Sequence, residues 1–145
     1  MNTEDFTHLF SHVSKRSKEV CEQQLQHFGV HAGQQFLLEL LWKAPEGLTV
    51  GEIAEMLVVE APSITRTVQR MARQGLVEKH AHPTDARQVI VKLTEKGQAL
   101  QHTIPQVMSE YEEQMLAGVS EIERAFLMRL LRQILHNLED APTTS

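Results

Sequence analysis

The chain has one cysteine, Cys21, one tryptophan and one tyrosine. A single cysteine excludes an intrachain disulfide and a cysteine-rich zinc site, and it fits a reducing compartment. Aromatic residues make up 5% of the sequence, so the core must be mostly aliphatic. No apolar run approaches the roughly 20 residues that span a bilayer, so no membrane partner is expected. The opening MNTEDFTHLF lacks a basic stretch followed by an apolar one, and no secretory signal is expected there. Nucleophile elbow, phosphate loop and HExxH pattern are all missing, and Asp85 and the histidines form no acid–base constellation. No enzyme, catalytic residue or cofactor is therefore expected, and the cytoplasm is the expected location.

Basic residues are also scarce, with 14 Lys and Arg against 19 Asp and Glu. A net charge of -5 disfavours a nucleic-acid partner at first sight. The distribution reverses that inference. Residues 60–96 hold seven basic and four acidic groups, a balance of +3, and the remaining seven basic and fifteen acidic groups give -8. A basic face on an acidic body suits a DNA reader, because only the docking face meets phosphates.

A chain of 145 residues supports one domain with its own core. Phe6, Leu9, Phe10, Val13, Val20, Leu25 and Phe28 recur at helical spacing, with a break near Ser17 and a stop at Gly29. A second helix is predicted over 32–42, its FLLELL run buried on nearly all sides. Thr49 and Glu52 have capping-box spacing and open a short third helix. Val58 and Val59 form the turn after it. The next helix is predicted over 61–74, with Pro62 in its first turn, Ile64, Val68 and Met71 inward, and Gly75 in the left-handed position beyond its end.

Two strands, 76–79 and 88–93, enclose the polar connector 80–87, which is the pattern of a hairpin with a protruding tip. Thr94 caps a helix predicted from 95 to 115, which Pro105 must kink or break unless the helix restarts there. Ser120 and Glu123 have capping-box spacing before a last helix, where Ile122, Phe126, Leu130, Ile134 and Leu138 recur every four residues. The apolar faces at the two chain ends exceed what a small middle can cover. They imply a homodimer built through helices at 1–30 and 101–140, around a DNA-binding core at 33–100. One intramolecular three-helix bundle is the alternative.

Two helices joined by a tight turn and followed by a hairpin make a winged helix-turn-helix. The fold class is mainly α with a small β-hairpin wing, flanked by N- and C-terminal dimerisation helices. In such modules the second helix enters the major groove. Its outward face carries Ser63, Arg66, Gln69, Arg70 and Arg73, with Thr65 nearby. Ser63, Thr65 and Gln69 can bond to bases or phosphates, and Arg66 or Arg70 can pair bidentately with guanine.

The segment GLTVGEIAEMLVVEAPSITRTVQRMARQGLVEKHAHPTDARQVIVKLTEKG resembles the signature region of the MarR (multiple antibiotic resistance) regulators. The likeness lies in the run 48–66, in Gly75-Leu76-Val77, in Asp85-x-Arg87 and in Leu93-Thr94-x-x-Gly97, and the flanking helices extend it over almost the whole chain. The resemblance implies a dimeric transcriptional regulator, most often a repressor, that binds a pseudo-palindromic duplex. It also implies release by a small aromatic or phenolic effector. It carries the minor-groove role to Arg87, support of the wing to Asp85, and DNA contact to Ser63, Thr65 and Arg66. Glu60 departs from the small polar residue usual in the family at that position. A carboxylate there favours the helix dipole but repels a phosphate.

A redox- or metal-responsive regulator of the same fold and a winged-helix protein-interaction module are the other readings. Cys21 does not match the position of the reactive cysteine in peroxide-sensing relatives. The pairs His8/His12, His27/His31 and His80/His82 lack a three-ligand spacing, so no metal is assigned. His12, His31, Trp42 and Tyr111 are placed near an effector pocket without being assigned to it.

Overall fold

The computed structural model describes residues 3–142. The chain divides into two compact units, one ending at Tyr111 and the other starting at Glu112. In the first, helix α1 (Thr3–Leu25) runs on into a 3-10 turn (Gln26–Phe28). Helix α2 (Gln34–Trp42), strand β1 (Leu48–Thr49), helix α3 (Val50–Leu57) and helix α4 (Ala61–Arg73) follow. Strands β2 (Val77–Ala81) and β3 (Val89–Leu93) form the hairpin, and helix α5 (Glu95–Ala99) comes after it. Helix α6 (Ile104–Met115) and helix α7 (Glu121–Glu139) complete the order. This mainly helical winged helix-turn-helix, with a small antiparallel wing and flanking helices, is the fold class expected from the pattern.

The sheet is antiparallel with strand order β1-β3-β2. Leu48 pairs with Val91, and Val77 pairs with Leu93. Strand β1 was not expected: its two residues are too few to show an alternation. The core is aliphatic. Leu25, Val30, Leu37, Leu38, Leu41, Ile53, Leu76, Val91 and Ile104 are fully or almost fully buried. Ile64, Val68 and Met71 close it from α4, on the face their spacing predicted. Gly97 has to be glycine, because a Cβ there would lie 2.2 Å from the Leu76 carbonyl oxygen. The Gly97 carbonyl in turn accepts the Trp42 indole N–H at 3.0 Å.

Several boundaries moved. The apolar stripe of α1 lapses near Ser17 as expected, while the helix itself runs on; the Ser17 hydroxyl meets the Tyr111 hydroxyl there, not an apolar neighbour. The long helix expected over 95–115 breaks into α5, a 3-10 turn at Leu100–His102, and α6. The helix restarts at Ile104, so Pro105 lies in a first turn, where its missing N–H is not needed. Helix α2 is buried through Leu37, Leu38 and Leu41 but leaves Phe36 half-exposed, so it is not apolar-packed on every side.

In the second unit Ser120 and Glu123 form the capping box at the start of α7. Arg124 fastens the preceding turn by donating to the carbonyls of Val119 and Leu116, each at 3.0 Å, and by pairing with Glu113. No residue of α7 is buried, and Ile122, Phe126, Leu127, Leu130, Leu131, Leu135 and Leu138 are all exposed.

Candidate nucleic-acid interface

Helix α4 is placed by three devices. The turn before it puts Val58 in the left-handed region and closes α3 with bonds to Ala54 and Glu55. Pro62 sits in its first turn. Its inward stripe then fixes the rotation about its axis, which leaves Arg66, Gln69, Arg70 and Arg73 exposed. Glu60 is the N-cap residue, but its side chain makes no capping bond. One acceptable donor is absent, because Pro62 has no N–H.

The outward residues do not form a single face. Thr65 and Gln69 line an open groove of about 440 Å³ with Thr49, Lys79, Arg87 and Gln88. Ser63 and Arg70 lie on the other flank, in a cleft with Phe36, Met56, Val59 and Thr67. Arg66 and Arg73 line neither. Ser63 is half-buried, and the Thr65 hydroxyl donates back to the Ala61 carbonyl at 3.1 Å. The groove also brings in Lys79 and Gln88, which sequence reasoning did not single out. The count of basic residues included Lys79, but only the hairpin register places it beside α4.

The wing tip is ordered by two side chains. The His82 ring nitrogen Nδ1 accepts the backbone N–H of Asp85 at 3.0 Å and of Thr84 at 3.2 Å. The Asp85 carboxylate accepts the backbone N–H of Arg87 at 3.0 Å and its Nε–H at 3.2 Å. Those two bonds, the backbone one first, hold the Asp85 carboxyl below its ordinary pKa. The Arg87 side chain is 91% exposed, so the carboxylate orients the guanidinium without burying it.

The sensing candidates are scattered. Tyr111 lines a cleft of about 390 Å³ with Ser14, Lys18, Cys21, Gln35 and Phe36. His31 lines the cleft beside Ser63, and Trp42 is committed to Gly97. Burial, then the charge of Glu22, pushes the Cys21 thiol up, away from the reactive thiolate. Among the described residues no group of three His, Cys, Asp or Glu could hold a metal ion, and no helix is long and apolar enough to cross a membrane.

Helix, turn, reading helix and protruding wing define the DNA-binding type of winged helix-turn-helix. Residues 29–88 match the family model described as the MarR family. The chain is 28% identical over 131 residues to the HTH-type transcriptional regulator YwoH of Bacillus subtilis (strain 168), covering 88% of this chain and 94% of that one. It has the fold of the S. aureus MepR–DNA complex, with a TM-score of 0.82 at 24% identity, over 91% of this chain and 97% of that one. A MarR regulator from Methanosarcina mazei Go1 superposes with a TM-score of 0.75 at 21% identity, over 93% and 96% of the two chains. Over residues 29–88 the winged helix-turn-helix of this chain is thus similar to the MarR family, and its fold is that of MarR-type proteins of known structure.

Proposed function

We propose that this chain is a homodimeric regulator that reads a pseudo-palindromic DNA duplex and releases it when a small aromatic or phenolic molecule binds. The observation that carries the reading is the groove between α4 and the wing. Thr65 and Gln69 from the helix, Lys79 from β2 and Arg87 from the wing converge on it, and Arg87 is exposed yet oriented. In this reading Thr65, Arg66, Gln69, Arg70 and Arg73 approach the major groove, with Ser63 at the helix's amino-terminal end. Arg87 approaches the adjacent minor groove, and Asp85 supports it. Residues 33–100 serve as the reading head, and 1–30 with 101–140 as the dimerisation helices.

The cleft between α1, α2 and α6 supports the effector part of the reading. It combines the apolar Phe36 and Met108 with the Tyr111 phenol and the Lys18 ammonium, groups suited to a ring bearing one acidic or polar substituent. Such a ligand must bind the DNA-free form more tightly, and a tenfold loss of DNA affinity needs about 1.4 kcal/mol of coupling.

The test is fluorescence anisotropy with duplexes recovered by selection from a random pool, repeated over a salt series. Wild-type binding should weaken steeply with salt. Arg87→Ala should bind all duplexes more weakly, with a log–log salt slope shallower by about 1. A folded Arg87→Ala protein with unchanged affinity and slope would remove the role of the wing. Absence of salt-dependent binding to any duplex would remove the reading itself.

A further inference from the structure

An apolar face fixes how a helix is rotated, but it resists sliding along its own axis only weakly, because apolar contact is not directional. Base reading needs register along that axis as well, since a bidentate contact is lost within a few tenths of an ångström. The turn before α4 and its packed stripe limit sliding along it, and a directional contact sharpens that limit further. The structure contains such a device at its carboxyl end, remote from the DNA-facing groove.

Gln74 caps α4. Its side-chain Nε2 donates to the Gly29 carbonyl at 2.6 Å, and its Oε1 accepts Nε2–H of Gln34 at 2.8 Å. Gln34 is 3% exposed, and its own Oε1 accepts the His31 backbone N–H at 2.9 Å. Lys96 completes the end by donating to the Gln74 carbonyl at 3.1 Å, a cation at the negative end of the helix dipole. Two amides thus join the reading helix to the loop 29–33 between α1 and α2 and to the first residue of α2. The same loop is tied to α1 through Glu22, whose carboxylate accepts the Ala32 N–H at 2.6 Å and bonds the His31 ring. It also borders the cleft given above to the effector, through Ala32 and Gly33.

We propose that the Gln34–Gln74 amide pair is the positioning latch of the reading helix, transmitting the placement of the α1–α2 loop to the register of α4 on DNA. This rests on the reading of α4 as the DNA-reading helix. Neither glutamine touches DNA in that reading; both act by holding α4. Loss of the latch leaves the charge of the face intact, so phosphate attraction survives while base contacts slip. The signature is lost specificity at constant salt dependence. Overall damage to the fold weakens binding to every duplex instead.

The variants are Gln74→Ala, Gln34→Leu and the milder Gln74→Glu, which keeps the acceptor for Gln34 but sets an oxygen against the Gly29 carbonyl. Each is titrated with the selected duplex and with a scrambled one. Affinity for the selected duplex should fall about tenfold in Gln74→Ala and Gln34→Leu, and less in Gln74→Glu. Scrambled-duplex affinity and both salt slopes should hold. Equal losses on both duplexes would overturn the latch. Amide hydrogen exchange reads it without DNA. Either mutation should speed exchange in both segments, 29–34 and 71–76, and acceleration confined to the mutated segment would also overturn it. If the wild type binds no duplex at all, the DNA reading fails by itself, and the exchange result alone decides the latch.

Discussion

Val58 is 84% exposed and sits at φ 55°, ψ 48°. A β-branched side chain in the left-handed region is strained, at a cost of roughly 1–2 kcal/mol. The turn demands that conformation, because it lets the N–H groups of Val58 and Val59 reach the Glu55 and Ala54 carbonyls and end α3 before α4 begins. Val58→Gly should therefore stabilise the fold by about 0.5–1 kcal/mol, the relief of strain being offset in part by the greater freedom of glycine in the unfolded chain. Urea unfolding should show a higher midpoint with an unchanged slope. A lower midpoint would mean that the exposed isopropyl group contributes more than the strain costs. The turn at Val58 and Val59 was legible in the sequence; the left-handed backbone was not, because valine argues against it. Ile64, Val68 and Met71 could be read as inward from spacing alone. Phe36 could not be read as exposed, because a run of apolar residues does not say which of them the neighbours fail to reach.

Between elements the informative contacts are polar, and these were the hardest to foresee. Glu22 ends its reach from α1 on the Ala32 N–H and the His31 ring. The backbone bond from Ala32 first, and the bond with His31 second, hold its carboxyl below the ordinary value; Arg70 adds a smaller favourable field. A carboxylate with a depressed folded pKa stabilises the fold fully above the unfolded value, about 4.3 for glutamate. That contribution disappears as pH falls through the folded value. Glu22→Gln should accordingly be less stable than wild type at pH 7, with the two stabilities converging in acid. Urea midpoints measured down a pH series check this, and a constant gap at every pH would show that the ionised carboxylate is not what matters. Nothing in the spacing of Glu22 and His31 announces the pair, since they meet only after the chain has passed through the 3-10 turn at Gln26–Phe28. The capping boxes at Thr49 and Ser120 were legible because both partners lie within four residues. The restart at Ile104 was legible from Pro105, but the 3-10 turn at Leu100–His102 before it was not, as no proline or glycine stands inside it.

At the scale of the molecule, the sequence pattern left apolar surface to spare at both ends of the chain; the structure takes Leu25 into the core with Val20 and Phe28 packed against it, and leaves the earlier part of that stripe exposed. Phe6 and Phe10 stack with ring centroids 6.0 Å apart, and with Leu9 and Val13 they remain exposed on α1. Most of the apolar face of α7 is exposed too, with Ile134 half-buried. Exposed apolar surface of that extent marks an interaction site, and a two-fold pairing of identical faces is the commonest way to cover it. A dimer also answers the DNA problem. One short helix and one wing contact too few bases for a specific site, whereas two heads about one helical turn apart, roughly 34 Å, read two half-sites together. Linking the heads raises affinity about 10²-fold or more without any new contact. The wild-type chain of 16.5 kDa should therefore scatter light as a particle of twice that mass at micromolar concentration. Phe126→Glu combined with Leu130→Glu should give a helical monomer by circular dichroism, with about 10²-fold weaker binding to a two-half-site duplex. Its affinity for a single half-site should change little, because α4 and the wing are untouched. If the wild type is monomeric at micromolar concentration, or if the double variant still dimerises, the exposed face of α7 is not the interface.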